Sequence, residues 1–236
     1  MTTRKVVVDI ETTGLKVEEE HKIVEIAALA LENRELSDEQ FHRYLDPQRA
    51  SDPGALEVHG LTAQFLEGKP LFTDIVNTFL DFIRGAELII HNAPFDVGFI
   101  DEELRRAGSG YGCIKDHCKK ITDTLKLARR LHPGQRNSLD ALCKRYSIDN
   151  THRTLHGALL DAELLARVYL RMTSGQSTLF DGLAFVQATS QTNATVSIQK
   201  LTLPVITASA DEQSAHEALL AAITQTAGYC LWGDST

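Results

Sequence analysis

The chain has 236 residues, 43% of them hydrophobic and 24% charged, ample for one packed core beside a small second region and unlike a collagen, a mucin or a wholly disordered chain. Its formal net charge of −8 argues against a protein that gathers nucleic acid by bulk charge. No run approaches the about 20 apolar residues of a membrane span, and residues 1–5 lead into a strand rather than the about 7–15 apolar residues of a signal peptide, so a soluble cytoplasmic protein without membrane contact is expected.

Residues 5–10 (KVVVDI) read as a buried strand, residues 23–31 (IVEIAALAL) as a second, and residues 41–45 as a third. Over residues 71–84 the apolar positions 71, 72, 75, 76, 79, 80 and 83 keep the rhythm of an amphipathic helix, which Gly85 stops. Residues 87–90 form another strand. Helices are expected at 95–107, 123–131, 138–146 and 156–172, with Pro133-Gly134 in a loop. This order predicts a mixed α/β domain with helices packed on a central sheet. Cys113, Cys118, Cys143 and Cys230 lack a CxxC pair and read as free thiols; a zinc at Cys113, His117 and Cys118 would need a spacing unlike the zinc patterns. Between residues 115 and 153, ten basic side chains face four acidic ones, a local +6 that fits either a phosphodiester contact or solvated helix faces.

After residue 172 the texture changes, and residues 174–236 hold a single Lys or Arg, Lys200. The expected organisation is a folded domain over 1–174, a short segment over 175–185, a polar flexible linker over 186–199 and a partner-binding segment over 200–236. In that last segment residues 203–206 are strand-like, and Ala215, Leu219, Ala222 and Ile223 share a helical face before Gly228 and Tyr229-Cys230-Leu231-Trp232. Too short to build its own core, it is expected to dock on a partner.

Asp9 and Glu11 stand two apart in a strand, so both carboxylates leave one face while Val8 and Ile10 leave the other. Like charges taken out of water call for a cation, and a hard divalent metal suits them; an exposed polar strand end is the plainer alternative. Thr12-Thr13-Gly14 read as a tight turn bringing hydroxyls and N–H groups beside the acids. Asp96 falls in the first turn of a helix, where an acid also serves the helix dipole, and Phe95 beside it is placed to stack on a base. Asp161 lies inside an apolar stripe with Gly157, Leu164, Leu165, Val168 and Met172, so it needs a metal, a hydrogen-bond shell or an arginine. His156, beside Gly157 at the start of that helix, suits a general base. The four acids together carry −4, which two divalent cations would neutralise, Mg²⁺ or Mn²⁺ fitting all-oxygen ligands in two-metal phosphoryl chemistry.

Asp9-Ile10-Glu11-Thr12-Thr13-Gly14-Leu15, His91-Asn92-Ala93-Pro94-Phe95-Asp96 and His156-Gly157-Ala158-Leu159-Leu160-Asp161 resemble the three exonuclease motifs of the DEDD superfamily, in the subgroup whose fifth residue is histidine. Asn137-Ser138-Leu139-Asp140-Ala141-Leu142-Cys143, the run from Arg153 through Ala162, and the end from His216-Glu217 to Cys230-Leu231-Trp232 are similar to the family of epsilon proofreading subunits of bacterial DNA polymerase III, across essentially the whole chain. The resemblance implies a ribonuclease-H-like fold and 3′-to-5′ hydrolysis of DNA that removes mismatched 3′-terminal nucleotides as 5′-monophosphates. It also implies a metal pair on Asp9, Glu11, Asp96 and Asp161, with His156 as the base. It places Thr12, Val58, His59 and Phe95, with Asp9, Glu11 and Asp161, around the terminal nucleotide.

Gln176-Ser177-Thr178-Leu179-Phe180 resembles the short peptides that sliding clamps bind, with Gln176, Leu179 and Phe180 as anchors. Ser177 and Thr178 depart from the common residues there, which implies a weak contact. The terminal segment would hold the polymerase alpha subunit, and the resemblance leaves open whether a small theta-like subunit joins them. A frayed or single-stranded 3′ end would reach such a site more often than a paired one. Two other readings stand beside this one: an RNA-trimming exonuclease of the same superfamily, and a non-catalytic adaptor joining clamp to polymerase.

Overall fold

The computed structural model describes residues 4–228 except 152, 154 and 178–207. The chain divides into two units, residues 1–187 and 188–236.

The first unit is built on a five-stranded sheet of order β3-β2-β1-β4-β5. Its strands are β1 (Lys5–Thr12), β2 (Ile23–Glu32), β3 (Glu35–Tyr44), β4 (Glu87–Ile90) and β5 (Lys120–Asp123). β1, β2 and β3 run antiparallel, while β4 is parallel to β1 and β5 to β4. With helices on both faces, this is the mixed sheet of a ribonuclease-H-like fold.

The central strand reads as a continuous apolar run because both of its faces are covered. Val6, Val8 and Ile10 pack with Phe79 and Ile83 of α3 (Phe72–Ile83) and with Phe99, Ile100 and Leu104 of α4 (Ala93–Ala107), the helices that follow α1 (Pro53–His59) and α2 (Ala63–Leu66). On the other face Val7, Ala27, Leu29 and Ile89 meet Ala158, Ala162, Leu165, Ala166 and Tyr169 of the long helix that runs from Ala158 to Ser177. Alanines on both sides of this contact let the helix lie close to the sheet. The same helix turns Leu164, Val168 and Met172 toward Leu142 and Cys143, so it is buried along two stripes.

Several expectations are corrected. β3 starts six residues before the expected strand, because Asn33 (φ 49°) and Arg34 (φ 66°) make a two-residue left-handed hairpin turn without the Asn-Gly signature. β5 was hidden: four residues with one large apolar side chain show no period, and Asp123 both ends the strand and caps α6 (Thr124–Leu131), accepting from the Leu125 and Lys126 N–H groups. The helices α1, α2 and α5 (Ile114–His117) are too short for periodicity to reveal. α7 (Leu139–Arg145) falls where a helix was expected, capped by Ser138. The long helix, α8 (Ala158–Ser177), begins two residues after the expected start at 156 and runs past the expected end at 172.

Cys113, Cys118 and Cys143 are free thiols, and Cys230 lies outside the described residues. The second unit contributes α9 (Ala210–Ala227), capped by Ser209 and Glu212 and ended by Gly228 at φ 77°. On its expected apolar face Leu219 is 58% exposed. The expected linker at 186–199, the strand at 203–206, the Tyr229 to Trp232 end, and Leu179 and Phe180 lie outside the described residues. Among the described residues no helix is long and apolar enough to cross a membrane.

Candidate active site

The pleat of β1 places Asp9 and Glu11 on the face that carries Val7, toward α8, while Val8 and Ile10 are locked in the opposite core. Asp96 is buried in the first turn of α4, beyond the end of β4, and Asp161 is buried in the first turn of α8. All four line one cleft of about 700 Å³ at the carboxyl ends of the parallel strands, with Phe95, Asp140, Arg153 and His156.

The acids disturb one another strongly. Burial first, then Asp96, Asp161 and Glu11, push the Asp9 carboxyl well above its ordinary pKa, with Arg153 opposing. Glu11 is pushed up to about 8 by burial and by Asp161 and Glu25. Asp96 is also raised well above its ordinary value, chiefly by burial, with Glu11 adding to it while the N–H groups of Asp96 and Ile10 pull the other way. A site that holds so much unneutralised carboxylate suits hard cations. The donor chemistry fits: Glu11 and Asp161 oxygens and a His156 ring nitrogen lie within 4.8 Å of one another, with Asp9 and Asp96 facing the same cleft.

Asp161 is nonetheless already paired. Arg153 grips it with Nε at 2.5 Å and Nη2 at 2.6 Å, reaches Asp140 with Nη1 at 2.7 Å, and donates to His156 Nδ1 at 3.1 Å. The arginine that the apolar stripe allowed for is therefore present. Burial works against the guanidinium's charge, but Asp161 and Asp140 outweigh it and hold the group protonated. Since arginine only donates, the neutral His156 ring must carry its proton on Nε2 and offers no free basic nitrogen while Arg153 stays. Burial and Arg153 lower the His156 pKa. Arg153→Ala leaves Asp161 charged and unpaired, and breaking such a buried pair costs about 3–5 kcal/mol. We expect the metal-free melting temperature to fall by about 6–20 °C, and Mn²⁺ to restore more of it than it adds to the wild type. Equal melting temperatures for variant and wild type without metal would show that the pair does not form.

His156 precedes α8 rather than sitting on it, held by its own N–H to the Val58 carbonyl at 3.0 Å. That bond ties the His156 loop to α1 and so to a second cavity of about 550 Å³, lined by Thr12, Leu15, Val58, His59 and Phe95. Phe95 and Glu11 belong to both cavities. His59 ends α1, where its Nδ1 accepts the Leu61 N–H at 2.9 Å; the ring proton is therefore on Nε2, which is buried without a hydrogen-bond partner. Burial lowers the pKa of this ring, against the influence of Thr12 and Glu25, so it stays a neutral donor.

The Thr12 hydroxyl donates to the Gly14 carbonyl at 2.7 Å. Thr13 does not bring its hydroxyl to the site as expected: it is buried, 3.0 Å from His21 Nδ1. A Cβ at Gly14 would stand 2.3 Å from that imidazole, so only glycine fits the turn.

The structure thus brings Asp9, Glu11, Asp96, Asp161 and His156 to one cleft, and Thr12, Val58, His59 and Phe95 to the cavity beside it. Gln176 lies in the last turn of α8. Sequence reasoning missed the parts played by Arg153, Asp140, Arg129 and Glu25. Arg153 was visible in the basic run and in the family-like run from Arg153 through Ala162, without a partner assigned to it; Arg129 was visible only in the basic run, and Glu25 only as the single acid in an apolar strand.

A sequence profile for the exonuclease family described as RNase_T matches residues 6–169. The chain is 48% identical to the DNA polymerase III subunit epsilon of Salmonella typhimurium over 98% of this chain and 97% of that one. It is 47% identical to the protein of the same name from Escherichia coli K12, again over 98% and 97%. Among solved structures, Exonuclease X in complex with 5′ overhanging duplex DNA matches with a TM-score of 0.55 and 26% identity, over 73% of this chain and 93% of that one.

Proposed function

The chain belongs to the exonuclease family and, within it, to the epsilon subunits of DNA polymerase III, and from that premise we propose how its cleft removes a nucleotide. The enzyme is a 3′-to-5′ proofreading exonuclease acting on DNA. Exonucleases of this family work with divalent metal ions. Here Asp9, Glu11, Asp96 and Asp161 would hold two, Mg²⁺ or Mn²⁺, which when bound supply the Lewis acidity that stabilises charge on the phosphoryl oxygens.

His156 takes the proton of the attacking water, and its lowered pKa keeps the ring unprotonated and receptive near pH 7. It becomes basic when Arg153 releases Nδ1, and Asp140 offers the guanidinium a resting place, as the two already share a bond of 2.7 Å. In the neighbouring cavity the Phe95 ring stacks on the terminal base, the His59 Nε2–H donates to an oxygen of the terminal nucleotide, and Thr12 and Val58 shape the walls. Arg129, which also lines the larger cleft, is placed for a backbone phosphate, the functional use the basic run allowed.

One observation carries this reading: acids from three remote segments, at 9–11, 96 and 161, converge on a single cleft that opens beside an aromatic-walled cavity. With Mg²⁺ or Mn²⁺ the chain should shorten 5′-labelled single-stranded DNA from its 3′ end and release nucleoside 5′-monophosphates. A mismatched primer end should be removed at least about fivefold faster than a paired one, because unpairing it costs less. Internal cleavage, or no digestion with either metal, would refute the proposal.

The family places this enzyme on DNA and with a polymerase. We assign the segment 200–236 to the alpha subunit, Gln176, Leu179 and Phe180 to the sliding clamp, 186–199 to the tether between domain 1–174 and its partner, and the whole to the cytoplasm. The first assignment is supported by α9 itself, a capped helix that places Leu219 in solvent on the face it shares with Ala215, Ala222 and Ile223.

A further inference from the structure

β2 carries one charged residue within its buried run, Glu25, which is 3% exposed. Its two oxygens are separately occupied. Oε1 meets His42 Nε2 on β3 at 2.7 Å, and Oε2 accepts the Ala158 N–H at 3.1 Å. Ala158 is the first residue of α8, and the residue before it, Gly157, has no side chain with which to cap the helix. The cap therefore comes from the sheet, 133 positions earlier in the chain. It arrives at the end of the sheet that matters for the chemistry, because Glu25 lies directly opposite Glu11 in the β1–β2 register. Three residues into α8 stands Asp161, and two residues before it stands His156.

We propose that Glu25 is a positioning residue of the hydrolytic site: backed by His42, its carboxylate pins the first turn of α8 to the sheet and so sets Asp161 and His156 against Asp9 and Glu11. The hydrogen bonds of Glu25 run to a backbone N–H and to the His42 imidazole. Its charge also bears on Glu11, an influence that Glu25→Gln removes while the geometry is kept, so recovery of the rate in that variant assigns the effect to position. A displacement of about 1 Å in a reacting group costs about 10²-fold in rate. The exposed end of the assembly is His42, whose side chain is 23% exposed, so its removal loosens the anchor without emptying the core.

This inference rests on the exonuclease reading, and the experiment separates the two. Wild-type full-length chain, Glu25→Ala, Glu25→Gln and His42→Ala are assayed on single-stranded DNA over a series of Mn²⁺ concentrations, with melting temperatures recorded. Glu25→Ala should lose about 30- to 100-fold in kcat, need more Mn²⁺ for half-maximal activity, and keep its KM for DNA within about threefold. Glu25→Gln retains an acceptor for the Ala158 N–H, and His42 can change tautomer to meet its amide, so it should recover kcat to within about fivefold of wild type. His42→Ala should fall between the two. A merely structural role would lower the melting temperature and leave kcat per folded molecule unchanged. The proposal fails if Glu25→Ala keeps kcat within twofold, or if Glu25→Gln is no better than Glu25→Ala. Should Glu25→Ala not fold, an unchanged kcat in His42→Ala overturns it. If the wild type itself digests no DNA, the exonuclease reading is what has failed.

Discussion

Asp9→Asn is expected to lower turnover on single-stranded DNA by at least about 10³-fold while raising the melting temperature of the metal-free protein. Both effects have one cause. Asp9 is buried and crowded by Asp96, Asp161 and Glu11, with Arg153 opposing them, so its charge is costly to the fold and useful only to a cation. An amide of the same shape removes the repulsion and leaves Val8 and Ile10 undisturbed in the core on the other face of β1. It also removes the ligand charge on which stabilisation of the phosphoryl oxygens depends. Two measurements decide the matter, a nuclease assay with Mn²⁺ and a melt in chelator. A variant that melts lower than wild type would mean that Asp9 supports the fold, and retained turnover would exclude it from the site.

The second large effect is on stability against pH. Glu11 titrates near 8 in the folded chain, against an ordinary value of 4.5, and Asp9 and Asp96 move in the same direction. Over the interval between those values the folded state holds a proton on Glu11 that the unfolded state has already lost, so stability falls as pH rises through it. The histidines work the other way. Burial lowers the pKa of His59, His91 and His156, so their contribution rises with pH and is complete by about pH 7. From pH 7 to 8.5 the carboxylates act with the thiols of Cys143 and Cys118, whose pKa burial also raises, and Glu11→Gln separates the carboxylate share. In chelator the melting temperature should drop there by about 3–6 °C, at up to about 1.4 kcal/mol per proton per pH unit. Mn²⁺ should reverse the drop, and Glu11→Gln should flatten the slope. A melting temperature that rises over this interval, or an equal slope in Glu11→Gln, would contradict the crowding of the acids.

Much of the site was legible because its signals are local. Asp9 and Glu11 declare themselves by two-residue spacing in a strand, and Asp161 by its place within an apolar helical stripe; both are matters of one element's own period. The elements that escaped notice are those too short to have a period, β5 and the one- or two-turn helices α1, α2 and α5, together with the start of β3 behind an Asn-Arg turn. The Thr13 hydroxyl misled for a related reason: a turn's sequence shows that it is tight, whereas His21 decides which way its side chain points.

By itself, then, the order of residues pointed to the acids and the histidine that share the cleft, to the mixed sheet that carries them, and to their kinship with a family of exonucleases. Folding alone decided how those groups are balanced. Asp161 meets Arg153 rather than water, the His156 lone pair is held by the same guanidinium, and the cap of α8 is supplied by Glu25 from across the sheet. Period and spacing report on one element at a time, while the state of a buried charge depends on whichever side chains other elements bring within reach once the solvent has been removed.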